Sequence, residues 1–201
     1  MDRSKFIRES LEESAATKKA ILSSCFDDIS RAVTVLRDAF RRGNKILFCG
    51  NGGSAADCQH LATEFTIRLN HDIERRGLPS IALTTDSSAL TAGSNDIGFE
   101  NTFARLIEAL GKEGDVLIAI STSGNSENIL RAAKKARDGG LYVIGFLGKD
   151  GGKLKPLCDL PIVVPSDNTQ RIQEGHITIG HIVSELAELE LYAEGNLSGQ
   201  Q

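Results

Sequence analysis

The sequence predicts an α/β fold: a three-layer sandwich with a five-stranded parallel sheet between helices, two helices ahead of it and a long helix at the end. Three observations carry this. Short runs rich in Ile, Leu and Val at residues 45–49, 80–84, 115–121, 142–147 and 160–164 are apolar without alternation, as strands buried on both faces are. Helical patterns separate most of them, which makes the connections βαβ crossovers and the sheet parallel. The 201 residues suffice for one domain with a sizeable core, and no repeat or linker interrupts them.

The elements follow in order. Apolar residues recur at helical spacing from Phe6 to about Cys25. They do so again from Asp27 to Arg42, where Ile29, Ala32, Val33, Leu36 and Phe40 share a face and Arg41, Arg42 and Gly43 end the pattern. The first strand stops at Gly50-Asn51-Gly52-Gly53-Ser54, a strand-to-helix turn in which Ser54 is placed to cap the next helix. The last pattern, from about Gln170 to Glu194, is an amphipathic helix with Ile172, Ile179, Ile182, Val183, Leu186 and Leu189 on its apolar side. Gly175 inside it costs about 1 kcal/mol against alanine, for no reason the sequence shows.

Composition narrows the function. Lys and Arg total 23 against 27 Asp and Glu, a formal charge of −4, so there is no basic excess to grip nucleic acid and an anionic ligand must be held locally. The polar start and the lack of any run of about 18 apolar residues predict neither a secretory signal nor a membrane anchor. Cys25, Cys49, Cys58 and Cys158 are scattered without C-x-x-C spacing, which suits small buried hydrophobes in a reducing, cytoplasmic setting.

Ligands of open α/β sheets sit beyond the carboxyl ends of the strands. Gly50-Asn51-Gly52-Gly53-Ser54-Ala55 after the first strand offers close backbone approach and free amides for a phosphate. Ser121-Thr122-Ser123-Gly124-Asn125-Ser126 after the third offers four hydroxyls at the start of a helix beginning near Glu127. Either alone also reads as an ordinary Ser-capped turn; a phosphorylated small molecule spanning both explains the pair. The first loop also matches the dinucleotide pattern G-x-G-x-x-A. However, Asp72 and Glu74 do not end a strand, Asp86 comes late, and no P-loop lysine follows Gly53.

His60 and Glu64 stand at i and i+4 on the helix behind the glycine loop, and Gln173 and His181 lie two turns apart on one side of the last helix. Solvated helix polarity is the plain alternative. Two His, one Glu and one amide oxygen suit Zn²⁺ with room for a substrate oxygen, provided the helices meet. His71 reads as a loop residue and His176 as structural.

Together G-N-G-G-S-A-A-D (50–57), H-L-A-T-E-F (60–65), S-N-D (94–96), I-S-T-S-G-N-S (120–126), R-I-Q-E-G-H (171–176) and G-H (180–181) resemble the sugar-isomerase (SIS) domain family and, within it, the bacterial phosphoheptose isomerases. The resemblance runs over essentially the whole chain. It implies a single SIS domain at 1–201, in which 1–43 is a helical oligomerisation segment and 44–201 the α/β core. It implies a homotetramer with sites between subunits, a small phosphosugar substrate, and no nucleic-acid or membrane partner. Ser121, Thr122, Ser123 and Ser126 would hold the phosphate, with Asn51, Gly52, Gly53, Asn95 and Asp96 around the sugar. His60, Glu64, Gln173 and His181 match the zinc ligands. Glu64 and His181 match the acid-base pair, with Glu64 and Gln173 also meeting substrate. Gln170 stands where some members carry an acid, a role that nearby Asp167 is placed to take. The implied reaction interconverts sedoheptulose 7-phosphate and D-glycero-D-manno-heptose 7-phosphate, an entry to the heptose of surface glycans. The competing readings are a non-catalytic SIS phosphosugar-binding regulator and a replication-initiator-binding adaptor.

Overall fold

In the computed structural model, which describes residues 1–193, five strands form one parallel sheet in the order β2-β1-β3-β4-β5. They are β1 (Ile46–Gly50), β2 (Ser80–Ala82), β3 (Val116–Ser121), β4 (Tyr142–Gly148) and β5 (Leu160–Val164). The helices are α1 (Arg3–Ser24), α2 (Phe26–Arg41), α3 (Gly53–Thr66), α4 (Ser87–Asp96), α5 (Phe99–Leu110), α6 (Glu127–Asp138) and α7 (Thr169–Ala193), with a 3-10 turn at Gly152–Leu157. The expected end of the last helix at Glu194 lies outside the described residues.

The layers follow from strand alternation. Ile46, Phe48, Ile118, Ile120, Ile144 and Phe146 point to one face, where α2, α3 and α7 bring Leu36, Phe65, Ile179 and Val183. Leu47, Cys49, Leu117, Ala119 and Val143 point to the other, against Phe103 and Ile107 of α5 and Ile129, Ala132 and Ala136 of α6. Both faces are dry, so every residue of β1 and β3 is buried and the apolar runs need no alternation. All four cysteines are free thiols. Burial pushes Cys158 up to about 12 and Cys49 higher still, so they pack as unreactive hydrophobes.

Two expectations need correction. The second strand ends at Ala82 and not at Thr84. The hydroxyls of Thr84 and Thr85 bond the carbonyls of Ala55 and Ala82, turning the chain into α4, whose first turn Asp86 caps through the Ala89 amide. The apolar side of α7 is not wholly buried either. Ile172, Ile179 and Val183 are in the core, whereas Ile182, Leu186 and Leu189 remain 39%, 41% and 38% exposed. Ile182 and Leu186 join Leu22 and Phe26 along an apolar groove of about 300 Å³ between α1, α2 and α7.

Gly175 now has its reason. A Cβ there would stand 2.9 Å from Val164 Cγ2 and 3.0 Å from Ile21 Cδ1, so α7 lies closer to β5 and α1 than any side chain permits. Gly180 does the same against Leu61 of α3, where a Cβ would come within 2.6 Å of both Leu61 methyls. Gly180 and Leu61, next in sequence to His181 and His60, thus bring α7 and α3 into close contact.

Candidate active site

The strand order reverses between β1 and β3, and the helices that follow these two strands lie on opposite faces: α3 on one and α6 on the other. The loops after β1 and β3 therefore part and leave a crevice at the topological switch point. Both loops singled out in the sequence open into it. Asp86, the late candidate for a nucleotide ribose, is occupied as the α4 cap.

The glycine loop is shaped by contacts that only glycine allows. Gly52 has φ +56, and a Cβ on Gly53 would fall 2.6 Å from Gln173 Nε2, so the Gln173 amide of α7 rests on the loop backbone. Ser54 does not cap α3. Gly52 holds that position, and Ser54 is buried in the first turn with its amide on the Asn51 carbonyl. The Ala55 amide returns to the Gly52 carbonyl, while those of Gly52 and Gly53 have no acceptor among the described residues. Asn51 was expected at the sugar, but its side-chain amide is spent inside the protein, exchanging two bonds with Asn128 of α6.

In the serine loop, two hydroxyls build the turn. Ser121 Oγ accepts from the Gly124 amide at 3.1 Å and Ser123 Oγ from the Asn125 amide at 3.2 Å. Gly124, at φ +63, leaves no room for a side chain against the Gly151 carbonyl. Ser126 stands at the N-cap of α6 with no side-chain capping bond, and neither its hydroxyl nor that of Thr122 has a hydrogen-bond partner among the described residues. Helix N-terminal amides and hydroxyls hold an anion without a formal positive charge.

Three of the four expected ligands, His60, Glu64 and His181, come together between α3 and α7. His60 Nε2 lies 2.8 Å from His181 Nε2 and 3.2 Å from Glu64 Oε1, with the two rings edge-to-face at 84°. One donor atom from each of His60, Glu64 and His181 lies within 4.8 Å of the others. His60 is exposed and its partners half-buried, which leaves an open side for a substrate oxygen. Asn95 and Asp96 are not drawn in: they sit exposed at the end of α4, bonded to each other at 2.7 Å. Gln170 and Asp167 are exposed near the start of α7.

Two residues escaped the sequence reading. Asn128 has no motif to announce it. Asp57, one turn before His60, closes the G-N-G-G-S-A-A-D motif, which gives it no role of its own. Its Oδ2 is buried without a partner; burial raises its pKa, and the charges of His60 and His181 pull it back. The two imidazole nitrogens, the carboxylate and this orphaned acid all fit a divalent cation of zinc type, which would also offset the Asp57 charge.

The SIS domain family profile matches residues 10–148, and with the sheet order and switch-point loops this defines the class: a SIS domain protein. The chain is 51% identical over 191 residues to a phosphoheptose isomerase of Clostridium acetobutylicum, covering 94% of this chain and 96% of that relative. It is likewise 51% identical over 183 residues to one from Chlorobaculum tepidum, covering 90% and 88%. The solved phosphoheptose isomerase from Francisella tularensis superposes with a TM-score of 0.90 at 36% identity, covering 94% and 99%. That from Neisseria gonorrhoeae gives 0.86 at 39%, covering 92% and 97%. The chain belongs to the phosphoheptose isomerase family.

Proposed function

We propose that the protein is an aldose-ketose isomerase that converts sedoheptulose 7-phosphate to D-glycero-D-manno-heptose 7-phosphate, supplying heptose for surface glycans. The convergence of His60, Glu64 and His181 beside two anion-ready loops carries this reading. The phosphate is held by Thr122, Ser126 and the amides at the start of α6, with Ser121 and Ser123 shaping the loop. The amides of Gly52 and Gly53 serve the sugar.

The reaction takes a proton from C1 of the ketose and returns one to C2, while a second proton passes from O1 to O2. Glu64 carries the carbon proton. Its carboxylate has two oxygens, so one can stay with His60 or an ion while the other faces the sugar. His181 serves the oxygens, and charge builds on them in the enediolate between the two steps. Zn²⁺ held by His60, Glu64, His181 and Gln173 supplies polarisation of the carbonyl and compensation for that charge. The homotetramer with sites between subunits belongs to the same reading, and the apolar groove lined by Leu22, Phe26, Ile182 and Leu186 supports burial of the 1–43 segment between copies. The unpaired cysteines support a cytoplasmic setting, and no described helix is long and apolar enough to cross a membrane.

Proton NMR of sedoheptulose 7-phosphate with the protein, before and after a chelator, is the test. Aldose anomeric signals that vanish on chelation and return with zinc are expected. Tight phosphosugar binding without new signals would overturn the reading and leave a binding regulator.

A further inference from the structure

α3 carries His60 and Glu64 and α7 carries Gln173 and His181, so the site exists only while these helices keep a fixed register. α3 ends at Thr66, and the last carbonyls of a helix have no partner within it. One side chain takes two of them. Arg75 Nη2 donates to the Glu64 carbonyl and Nη1 to the Phe65 carbonyl, both at 2.8 Å, and Nη1 also reaches the Arg76 carbonyl at 3.0 Å. Its Nε donates to the Glu188 carboxylate on α7. The other Glu188 oxygen accepts the Asn70 amide at 3.1 Å. The two side chains are 0% and 1% exposed. Gly77, where a Cβ would stand 2.7 Å from the Thr66 carbonyl, lets the connecting segment fold back onto the helix end. Glu188 comes seven residues, about two turns, after His181, so both lie on the same side of α7.

Stability alone does not call for this arrangement, because a buried ion pair is often matched or bettered by apolar side chains of similar volume. Apolar side chains cannot bind two chosen carbonyls and a carboxylate at once, which the rigid fork of a guanidinium does. We propose that Arg75 and Glu188 are positioning residues of the active site: the pair locks the last turn of α3, through the backbone of Glu64 itself, against α7. It thereby sets the separation of His60 and Glu64 from His181. This rests on the reading of that cluster as the metal-assisted isomerase site.

Arg75→Met alone strands the Glu188 charge in the interior and is expected to unfold the chain, so the decisive variant is Arg75→Met with Glu188→Leu. Three quantities are measured on the whole chain: the thermal midpoint, the zinc dissociation constant by competition with a chromophoric chelator, and kcat and KM for sedoheptulose 7-phosphate. Loss of an outer partner of a metal ligand is typically worth about 10- to 100-fold, so we expect zinc affinity and kcat to fall about tenfold or more and KM to stay within about twofold, while the midpoint drops by a few degrees for the freed carbonyls and the Asn70 amide and the chain stays folded at the assay temperature. Arg75→Lys, which keeps the charge without the fork, falls between. A double variant with the zinc affinity and kcat of the parent overturns the proposal, as does a parent chain that binds no zinc. A parent that binds zinc without isomerising would instead sink the isomerase reading, and the zinc comparison would still decide the role of the pair.

Discussion

Asn51 and Asn128, 77 residues apart, exchange two amide hydrogen bonds of 2.9 and 2.8 Å and so tie the loop after β1 to the first turn of α6. The bonds bridge the crevice where the sheet order reverses. A phosphosugar held by both loops needs them at a fixed distance, and this pair sets it.

Asn128 is 4% exposed, so replacing it by Leu takes both hydrogen-bond partners from the half-buried Asn51 amide. We expect Asn128→Leu to cost about 1–3 kcal/mol of stability and to lower kcat/KM by about tenfold as the loops drift apart. Chemical denaturation and steady-state kinetics on the same preparation check both. Unchanged kcat/KM in a folded variant would remove Asn128 from the account of the site.

Gly180→Ala tests the helix contact. The added methyl meets Leu61, which is 1% exposed and cannot swing into solvent. Overpacking of this kind costs about 1–3 kcal/mol, offset by about 1 kcal/mol of helix propensity. A net loss of up to about 2 kcal/mol is expected by denaturant titration, together with weaker zinc binding, since the residues next in sequence are His181 and His60.

How much of this could be read in the sequence depended on distance along the chain. Strands and loops were legible because their signals are local: apolar runs too short for helices, glycines after the first, hydroxyls after the third. The pairing of α3 with α7 was not, because His60 and His181 are 121 residues apart and spacing says only which face of its own helix each occupies. Asn128 and Arg75 carry no pattern, and their roles come from partners 77 and 113 residues away. Gly175 looked like a defect until Val164 and Ile21 were seen beside it. The stripe on α7 was legible as apolar, yet which of its residues face this chain's core and which stay exposed is settled only by packing.

His176 gives a prediction in pH. Fully buried, its Nε2 donates to the Leu147 carbonyl at 2.8 Å, and its Nδ1 has no partner. Burial lowers its pKa from 6.5 to about 4, against which the Leu147 bond is too weak. Between these values the unfolded chain holds a proton that the folded chain does not, so stability is complete above about pH 6.5 and falls as pH drops toward 4. The loss is about 3 kcal/mol. Denaturant midpoints from pH 7 to pH 4 measure it, and in His176→Met this part of the slope should disappear. An equal slope in both proteins would place the acid sensitivity elsewhere.

Glu64→Gln separates the carboxylate's two duties. The amide keeps the shape and an oxygen for His60 Nε2, 3.2 Å away in the parent, but cannot take a proton from carbon. Loss of a positioned base is worth about 10² to 10⁴ in rate, so kcat should fall by at least about 10² while phosphosugar affinity, held by the loops, changes little. If the carboxylate only held the ion, added zinc would restore turnover, since weakened binding is recovered by mass action. If it moves the proton, saturating zinc leaves kcat low. Solvent deuterium exchange at C1 of the ketose reads the same step without a full turnover: exchange is expected in the parent and absent in the variant. A variant that still exchanges at the parent's rate would assign proton transfer at carbon to another group.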